Sequence, residues 1–488
     1  MRKFLKLTIF ALVALWWAGS MFVLWKTTRA AQPKVPDSVD VLKVGKLVKQ
    51  HWASIYFRGD KIGYTSLSIQ QTNDKLLVND ITYMRLPVGG TEQEIYAQSI
   101  ATINPDFSLE SFNFELSGGD YITTASGKIE RETLTVIVNT KERTDTLVFP
   151  VKGKIYPSSM VPYIVAAKGF EPGKQITIPG YDPFTLQSIA QNVTVVGKKR
   201  KHVLGKDYQL WHLKLEVMGL MTEMFVTDSG DVMIERSNMG FEIYREPQEK
   251  ALAFEMSKAG KFDMLKGFAI PARWRCTVTP RKSRYAKFVL MGFKKEILEI
   301  NDFNQKLYGD TLVVCADGFT PGNKPSPEDT AEQTFIQCHD RRIVTAARKI
   351  TKGESDTLGM LIKINDYLYR NMEKQYQTSI PSAVDILRKM KGDCNEHSTL
   401  FVALARALGI PARINVGLMY YAGSFGYHAW VQAYANGRWH TFDPTLGQHP
   451  ADAAHIKLLS GNLEKQVQLL RLGQVGIDVL ECKENCND

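Results

Sequence analysis

The sequence predicts an α+β fold class, in which a large antiparallel β-rich region precedes a smaller domain of helices and strands. Alternating apolar and polar residues, broken by turn signals, dominate from about residue 39 to residue 249. Apolar residues at helical spacing take over near Arg341, and a strong hairpin signal, Asn436-Gly437, follows them. Segregation of strands and helices along a chain is typical of α+β proteins.

The composition is that of ordinary globular domains. The chain has 488 residues, of which 44% are hydrophobic and 23% charged, enough for about two to four domains. These values exclude collagen-like, low-complexity and multi-span membrane proteins. The net charge of +10 selects no partner, and the densest basic run, residues 198–201, lacks the interleaved aromatic residues of nucleic-acid modules. We therefore expect no nucleic-acid partner.

An uncharged stretch at residues 7–25 predicts one transmembrane helix near the N-terminus. Its 19 residues nearly span a hydrocarbon core of about 30 Å. A cleaved signal peptide is the alternative, but Ala30 and Ala31 make a poor cleavage site behind Trp25. We expect residues 1–35 to be an uncleaved membrane anchor and the rest of the chain to be exported. Three basic residues on each side leave the orientation open.

The next two regions are predicted to be rich in strands. Residues 36–250 form a β-rich envelope domain, because runs such as residues 64–70 alternate apolar and polar side chains between turn signals. A sheet of many antiparallel strands, open or sandwiched, explains this pattern most simply. Residues 251–335 are predicted to be a small β-rich linker region that ends in a proline-rich loop at residues 321–327.

Helices are predicted in the last domain, residues 336–488. They are expected at Arg341–Ile350, from an N-cap at Ser355 or Asp356, after Ser382 as far as Gly392, and over residues 393–409.

The last of these helices is the most informative. Asp393 and Glu396 form a predicted capping box at its start, and Gly409 precedes the helix stop Ile410-Pro411. Cys394 then occupies the first helical position, where free N–H groups and the helix dipole favour a thiolate. Because the carboxylates of Asp393 and Glu396 oppose this, the size of the pKa shift stays open.

The hairpin register can be counted from Asn436-Gly437. It pairs Ala435 with Arg438, Tyr434 with Trp439, Gln432 with Thr441 and Trp430 with Asp443. By parity, His428 shares a face with Trp430 and is the diagonal neighbour of Asp443, at a backbone separation of about 7 to 8 Å. An imidazole and a carboxylate can close that gap. His440 falls on the opposite face and is interpreted as structural, and the tryptophans as core.

A cysteine at a helix start and a histidine held by a carboxylate make an activated thiol nucleophile. Cys394 would attack an amide carbonyl, His428 would protonate the departing amine, and Asp443 would fix the tautomer of His428. The backbone N–H of Cys394 is the expected oxyanion donor. A side-chain donor cannot be placed, because nothing in the sequence positions Gln375 or Gln377.

These motifs resemble the core of the bacterial transglutaminase-like superfamily, thiol enzymes with a circularly related version of the papain arrangement. The matching stretches, over about residues 341–459, are GDCNEHSTLFVALARALGIPAR, GYHAWVQAY and RWHTFDPTLGQ. The resemblance implies that Cys394 is the nucleophile, His428 the base and acid, and Asp443 the orienting carboxylate. It also implies that the cysteine helix packs on an antiparallel sheet that carries the other two residues. The tripeptide Ala454-His455-Ile456 resembles a frequent extension of the family, to which the resemblance assigns no role.

The resemblance and the predicted anchor together imply an inner-membrane protein with the bulk of its chain in the bacterial periplasm. The expected substrate is a peptide or protein of the cell envelope. Hydrolysis is the favoured reaction, because transamidation needs a site that excludes water. A cross-linking amine transferase and a non-catalytic envelope module that binds a peptide or lipid stay as alternatives.

The same residues also allow other chemical roles. His397, three residues after Cys394, is a rival base. Zinc at Cys394, His397 and His428 fits no zinc-site spacing, so we expect no metal and no cofactor. If Cys394 is a catalytic thiol, the other five cysteines allow at most two bridges and one spare thiol. The pairing among Cys276, Cys315, Cys338, Cys482 and Cys486, and the oligomeric state, are not predicted.

Overall fold

The structure, a computed structural model, describes residues 46–119, 121–253, 268–293, 298–377, 381–461 and 475–486. The predicted membrane anchor lies outside the described residues. No helix within the described ranges is long and apolar enough to cross a membrane.

Fourteen antiparallel strands form one sheet in the first part of the chain. They are β1 Lys46–Phe57, β2 Asp60–Thr72, β3 Lys75–Val88, β4 Thr91–Ile103, β5 Leu109–Gly118, β6 Tyr121–Glu130, β7 Thr133–Asn139, β8 Thr144–Pro150, β9 Gln175–Asp182, β10 Gln187–Val203, β11 Lys206–Val217, β12 Leu220–Val226, β13 Val232–Ser237 and β14 Phe241–Arg245. The predicted antiparallel β-rich region is confirmed.

The sheet consists of two meanders joined in the middle. Strands β1 to β8 pair in sequence order, strands β9 to β14 do the same, and β1 pairs with β14, with Phe57 opposite Phe241. The sheet curls around the helix α1 (Val161–Lys168), whose Val161 and Val165 are completely buried. The end strands meet through side chains, with the rings of Phe149 and Tyr181 5.4 Å apart. A second helix, α2 (Gln248–Leu252), follows the sheet.

In its described residues, the C-terminal domain combines four helices with three further sheets. The helices are α3 Arg341–Ile350, α4 Thr357–Asn371, α5 Ala383–Lys389 and α6 Cys394–Ala407. The strands are β15 Ile270–Pro271, β16 Tyr285–Met291, β17 Gln305–Tyr308, β18 Thr311–Cys315, β19 Glu373–Lys374, β20 Lys391–Gly392, β21 Ala412–Tyr421, β22 Ser424–Ala435, β23 Arg438–Phe442, β24 His455–Ser460 and β25 Gly476–Lys483.

These strands form sheets of five, four and two. The five-stranded sheet has the order β15-β22-β21-β24, with β23 also paired to β22, and the four-stranded sheet has the order β17-β18-β16-β25. Strands β19 and β20 pair in parallel. The predicted helix-bearing C-terminal domain with an antiparallel sheet is therefore confirmed.

The helix caps lie where the sequence predicts them. Asp356 caps α4 and Ser382 caps α5, while Asp393 and Glu396 form the capping box of α6. One end differs from the prediction, because α5 stops at Lys389 instead of continuing to Gly392. The next residue, Met390, adopts a left-handed conformation with φ of 50°, which terminates the helix.

Helix α6 packs its apolar face on the five-stranded sheet. Leu400, Phe401 and Leu404 are completely buried, and the ring of Phe401 lies 5.2 Å from that of Phe442. Burying one such aromatic side chain stabilises the fold by about 1.5 to 3 kcal/mol. The packing fixes the helix against the two strands β21 and β22, and with it the position of its first residue.

The described part of residues 251–335 contributes to the same core. Strand β15 pairs with β22, and the ring of Phe288 in β16 lies 5.7 Å from that of Phe425. The proline-rich loop lies over the hairpin, where Trp439 donates from its indole nitrogen to the carbonyl oxygen of Asn323 at 2.7 Å. The segment that the sequence sets apart as a linker thus packs as part of the C-terminal domain.

Two disulfides hold the last strand, β25, and the residues after it against this domain. Cys276 is bonded to Cys482, and Cys315 is bonded to Cys486. The two remaining cysteines, Cys338 and Cys394, are free thiols. Apart from Cys394, the five cysteines thus form two disulfides and leave one free thiol, which is the largest number of disulfides that five cysteines allow.

Hairpin turns of the large sheet contact the segment that leads into α6. The hydroxyl of Tyr121, at the start of β6, donates to the carbonyl oxygen of Lys391 at 3.2 Å. Glu142, in the β7–β8 turn, forms ion pairs with Arg342 at 3.0 Å and Arg388 at 2.6 Å. The β-rich region therefore supports the chain just before the predicted nucleophile.

Candidate active site

Cys394 lies at the N-terminus of α6, where the helix meets an open edge of β22. Strand β22 pairs with β15 at Phe425 and with β23 from Val431 onward. Between these two pairings, no strand of the described residues lies along this edge. The backbone N–H of Ala429 faces the Cys394 sulfur from this edge and favours its thiolate form. Cys394 is partly buried, and Ala429 is the residue that follows His428 in β22.

The surroundings of Cys394 favour the neutral thiol. Burial and the carboxylate of Asp393 raise the pKa of Cys394 well above its usual value, and Glu396 and Asp443 add to this. The Ala429 N–H acts in the opposite direction without outweighing them. Burial, the largest cause, and the carboxylates together raise the pKa of Cys394, so the thiol must lose its proton to a base when it reacts.

His428 and Asp443 meet as the hairpin register predicts. The pairs Ala435 with Arg438, Tyr434 with Trp439 and Gln432 with Thr441 are confirmed. Across this register His428 Nε2 lies 2.9 Å from Asp443 Oδ2, a hydrogen-bond distance.

The second ring nitrogen of His428 is available for chemistry. Nε2 donates its hydrogen to Asp443, so Nδ1 carries the lone pair of a neutral ring. In the described part of the chain Nδ1 makes no hydrogen bond, and none joins the Cys394 sulfur to His428. The side chain of His428 is 7% exposed. Catalytic hydrogen bonds often tighten only when substrate binds.

Asp443 is completely buried and fully bonded. Its Oδ1 accepts from the backbone N–H groups of Thr445 at 2.9 Å and Leu446 at 3.0 Å. Its Oδ2 accepts from two imidazoles, those of His428 and His455, at 2.9 and 3.1 Å. Burial alone would raise the pKa of Asp443, but the charges and hydrogen bonds of the two histidines hold it well below its usual range.

His455 is the residue of this site to which the sequence analysis gave no role. It begins β24, pairs with Met419 of β21, and is buried behind Asp443. The tripeptide Ala454-His455-Ile456 was visible in the sequence. Its proximity to Asp443 was not, because the loop between β23 and β24 brings the two together and no periodic pattern sets the path of that loop.

His397 is held by its own helix. Its Nδ1 donates to the carbonyl oxygen of Asp393 at 2.7 Å, and burial lowers its pKa. Its Nε2 is buried and, among the described residues, has no hydrogen-bond partner. The neighbouring Glu396 accepts from the N–H of Asp393 at 2.7 Å, and its pKa is raised well above normal by burial and by Asp393. Both residues stabilise the helix start.

Gln375 now has a position that the sequence did not supply. Strands β19 and β20 pair in parallel, and the N–H of Gln375 donates to the carbonyl oxygen of Gly392 at 3.1 Å. This places Gln375 beside the two residues that precede Cys394. Gln377 lies further out, against Gly119 of the large sheet.

The remaining residues of the predicted site region are structural, as interpreted from the sequence. Trp430 and Trp439 are 2% and 1% exposed. His440 pairs with Ala433 on the opposite face of the hairpin, and its ring lies 5.7 Å from that of His449.

The donor atoms of His428, Asp443 and His455 lie within 4.8 Å of one another, as in a nominal metal site. The two contacts to Asp443 have hydrogen-bond lengths, and each imidazole directs Nε2 at the same oxygen. Two N–H donors on one carboxylate oxygen explain this arrangement without a metal.

Comparisons with known proteins place a family match over this domain. Residues 344–444 match the model of the Transglutaminase-like superfamily. Kyphoscoliosis peptidase of Mus musculus is 33% identical over 96 residues, which cover 17% of this chain and 14% of that protein. The chain thus spans only a small part of that curated relative.

Two solved structures resemble parts of the chain. A candidate cysteine protease of Cytophaga hutchinsonii is 17% identical, covering 41% of this chain and 85% of its own, with a TM-score of 0.27. A β-barrel-like protein with a domain of unknown function from Brucella abortus is 12% identical, covering 41% of this chain and 96% of its own, with a TM-score of 0.34. Neither similarity is strong enough to carry a functional argument.

Proposed function

Because residues 344–444 form a transglutaminase-like domain, we propose that this chain is an exported, membrane-anchored thiol enzyme that cleaves amide bonds. The observation that carries this proposal is the hydrogen bond of 2.9 Å between His428 and Asp443. The backbone N–H of Ala429, the residue after His428, faces the Cys394 thiol at the start of α6.

The first half of the reaction forms a thioester. His428 Nδ1 accepts the thiol proton as the Cys394 sulfur attacks the amide carbonyl carbon, and the backbone N–H of Cys394 donates to the oxyanion. His428 then gives the proton to the departing amine as the C–N bond breaks. Proton transfer by a positioned group contributes about 10² to 10⁴ in rate.

The second half releases the acyl group. His428, neutral again, removes a proton from water as the water oxygen attacks the thioester carbonyl. The C–S bond breaks, the carboxylic acid leaves, and the proton returns to the Cys394 sulfur. Asp443 keeps Nε2 protonated through both halves, so Nδ1 is always the nitrogen that exchanges protons with the reactants.

Hydrolysis of a peptide or protein is the reaction we favour. Water needs no binding site of its own, whereas an acceptor amine must be oriented and water kept out. The name of the relative from Mus musculus, a peptidase, supports the same choice. A cross-linking amine transferase would use the same thioester, so labelled-amine incorporation separates the two. A transferase incorporates the label, and a peptidase does not.

Two features support a location outside the cytoplasm. The bridges Cys276–Cys482 and Cys315–Cys486 suit an oxidising compartment such as the bacterial periplasm. The uncharged stretch at residues 7–25 would supply a single-pass inner-membrane anchor. The proposed substrates are therefore peptides or proteins of the cell envelope.

The proposal is tested by labelling with iodoacetamide near neutral pH, followed by mass spectrometry of the modified peptide. We expect selective labelling of Cys394 that falls sharply in His428→Ala and less in Asp443→Asn. Cys338→Ala is the matched control, because Cys338 is the other free thiol and is completely buried. His440→Ala is the matched histidine control, because His440 lies on the opposite face of the same hairpin.

Labelling that is equal in the wild type, His428→Ala and Asp443→Asn would contradict the enzyme proposal. It would favour a non-catalytic envelope module that uses the fold as a scaffold to bind a peptide or lipid. In that case Cys394→Ala would leave the cellular phenotype unchanged.

A further inference from the structure

His455 is held between two carboxylates in the interior of the domain. Its Nε2 lies 3.1 Å from Asp443 Oδ2, and its Nδ1 lies 2.9 Å from Asp452 Oδ1. The side chain of His455 is 2% exposed, and those of Asp443 and Asp452 are 0% and 3% exposed. No water is therefore needed to explain either contact, and both ring nitrogens have an ionised acceptor.

This geometry determines the protonation state. A neutral imidazole has one N–H donor and one lone pair, and a lone pair directed at a carboxylate oxygen would be repelled. Both nitrogens must therefore carry hydrogen, which makes His455 an imidazolium. The pKa agrees: burial would lower it, but the charge of Asp452 and the hydrogen bonds of both carboxylates raise it to about 9.

Charged groups lie on both sides of His455. Behind Asp452, Arg281 forms an ion pair with its Oδ2 at 2.9 Å, and Gln448 donates to the same oxygen at 2.9 Å. On the other side, the ring of His428 lies 5.5 Å from that of His455.

Two uncharged neighbours also contact His455. The centre of the Trp430 ring lies 5.2 Å from that of His455 in an edge-to-face arrangement, and Met419 is the partner on β21. The next charged residue of β24, Lys457, forms an ion pair with Asp302. Arg281, Asp452, His455 and Asp443 therefore make a chain of alternating charge with two positive and two negative members.

We propose that His455 is a positioning residue of the active site. As a buried imidazolium it offsets part of the negative charge of Asp443, and it acts on His428 through Asp443. This inference rests on the proposed function and deepens it. Asp443 orients His428 by a hydrogen bond, and the positive charge of His455 offsets part of the attraction that Asp443 exerts on a second positive charge.

The proposal predicts the direction of a pH shift. In His455→Gln the charge of Asp443 acts on His428 alone, so the His428 imidazolium becomes more stable. A more stable imidazolium stabilises the Cys394 thiolate beside it. The apparent pKa for alkylation of Cys394 should therefore fall by about one unit, which is about a tenfold higher labelling rate below that pKa.

The rate of Cys394 alkylation by iodoacetamide is measured from pH 6 to pH 11, so that the range reaches the raised pKa of the thiol, in the wild type, His455→Gln and the control His440→Gln. We expect the downward shift only in His455→Gln. A purely structural residue would behave differently, because displacing Asp443 would lower the rate at every pH or move the pKa upward. An unchanged or raised apparent pKa overturns the proposal.

A second measurement does not depend on a reactive thiol. In the Cys394→Ala protein labelled with ¹⁵N-histidine, the imidazole ¹⁵N shifts at pH 8 should show one ring with both nitrogens protonated. This signal should be lost in His455→Gln and should titrate near neutral pH in Asp452→Asn. Absence of such a ring at pH 8 overturns the proposal. If Cys394 proves unreactive, the proposed function fails while this experiment still decides the state of His455.

Discussion

The two carboxylate oxygens of Asp443 bind different hydrogen-bond donors. Oδ1 is fixed by two backbone N–H groups of the turn that follows it, so the carboxylate cannot rotate freely. Oδ2 is left for the imidazoles of His428 and His455. A carboxylate clamped in this way loses little further entropy when His428 becomes charged, which is what an orienting group in catalysis requires.

The pKa of Cys394 should respond to the charges at the start of its helix. In Asp393→Asn/Glu396→Gln neither side chain near the thiol can carry a negative charge, while Asn and Gln can still cap the helix. We expect the apparent pKa for alkylation of Cys394 to fall by about one unit. The measurement is the pH dependence of the iodoacetamide rate.

The matched control for this change is Asp356→Asn, which alters the equivalent cap of α4, where Asp356 accepts from Gly359 N–H at 2.8 Å. This variant should leave the apparent pKa of Cys394 where it is. A double variant with an unaltered pKa would show that the carboxylates do not control the thiol.

His455 should make stability depend on pH in the alkaline range. Its pKa is raised to about 9 in the folded protein, against about 6.5 in the unfolded chain. Folding therefore favours the protonated form. This contribution, on the order of 3 kcal/mol, is complete below about pH 6.5 and is lost as the pH rises through 9.

The corresponding measurement is the free energy of unfolding in urea at pH 7, 8 and 9, for the wild type and His455→Gln. The wild type should lose more stability over this range than the variant. Parallel curves would mean that His455 does not change its charge state between the folded and unfolded chain.

At the residue level, the sequence predicts contacts that local geometry controls. The Asn436-Gly437 turn sets the parity of the hairpin, and the structure has three of the four predicted pairs and a His428–Asp443 hydrogen bond. The fourth predicted pair, Trp430 with Asp443, is absent, because the β22–β23 pairing ends at Phe442 and Asp443 forms a bridge with Gln448. The role of Cys394 stays a prediction until it is labelled. The contact between His455 and Asp443 could not be predicted from the sequence, because it depends on the irregular loop that returns the chain to the sheet.

The start of α6 depends on a residue without a side chain. A Cβ on Gly392 would lie 2.3 Å from the Cβ of Glu396, and the φ of Gly392 is 156°. Glu396 is itself fixed, because it accepts from the N–H of Asp393. The approach of the chain to Cys394 therefore requires glycine at this position.

Gly392→Ala should displace Glu396 and disturb the helix start. We expect a loss of about 2 to 3 kcal/mol in the free energy of unfolding and slower alkylation of Cys394. Gly409→Ala is the matched control at the other end of α6. Gly409 has a φ of 74° and open space around its Cβ position, so its variant should cost about 1 kcal/mol without changing the alkylation rate. Equal alkylation rates in the two variants would contradict the prediction.

The sequence predicts the elements that carry a helix cap or an apolar periodicity, and it does not predict contacts between segments that are distant in the chain. Helices α3 and α6 carry their caps and periodicity in the sequence and have the predicted starts. The segment at residues 251–335 was separated as a linker because prolines and glycines mark its end. Its membership of the domain core depends on pairing with β22 and β25, which are distant in sequence and leave no local signature.

On the scale of the whole molecule, the β-rich region and the C-terminal domain meet next to the candidate active site. The ring of Tyr121 lies under the ammonium group of Lys389 at 4.0 Å, and its hydroxyl bonds to Lys391. Lys391 is three residues before Cys394. The large sheet is thus positioned to restrain the segment that carries the thiol into the site.

Tyr121→Ala should loosen this segment. Loss of the cation–π contact and the hydrogen bond amounts to about 1 to 2 kcal/mol, so amide hydrogen exchange around Lys391 should accelerate about tenfold. Tyr121→Phe keeps the ring and should show a smaller effect. Identical exchange in the wild type and both variants would mean that the sheet does not restrain the segment.

The pairing of β1 with β14 has a consequence for how the large sheet folds. Each meander can form stepwise from neighbouring hairpins, which close small loops at low entropic cost. Joining the meanders requires the first and last strands of the region to find each other, so this step should be the slow one in refolding. Substitutions at Phe57 and Phe241, which meet at that seam, would then delay the final merger of two halves while leaving the early assembly of each half unhindered.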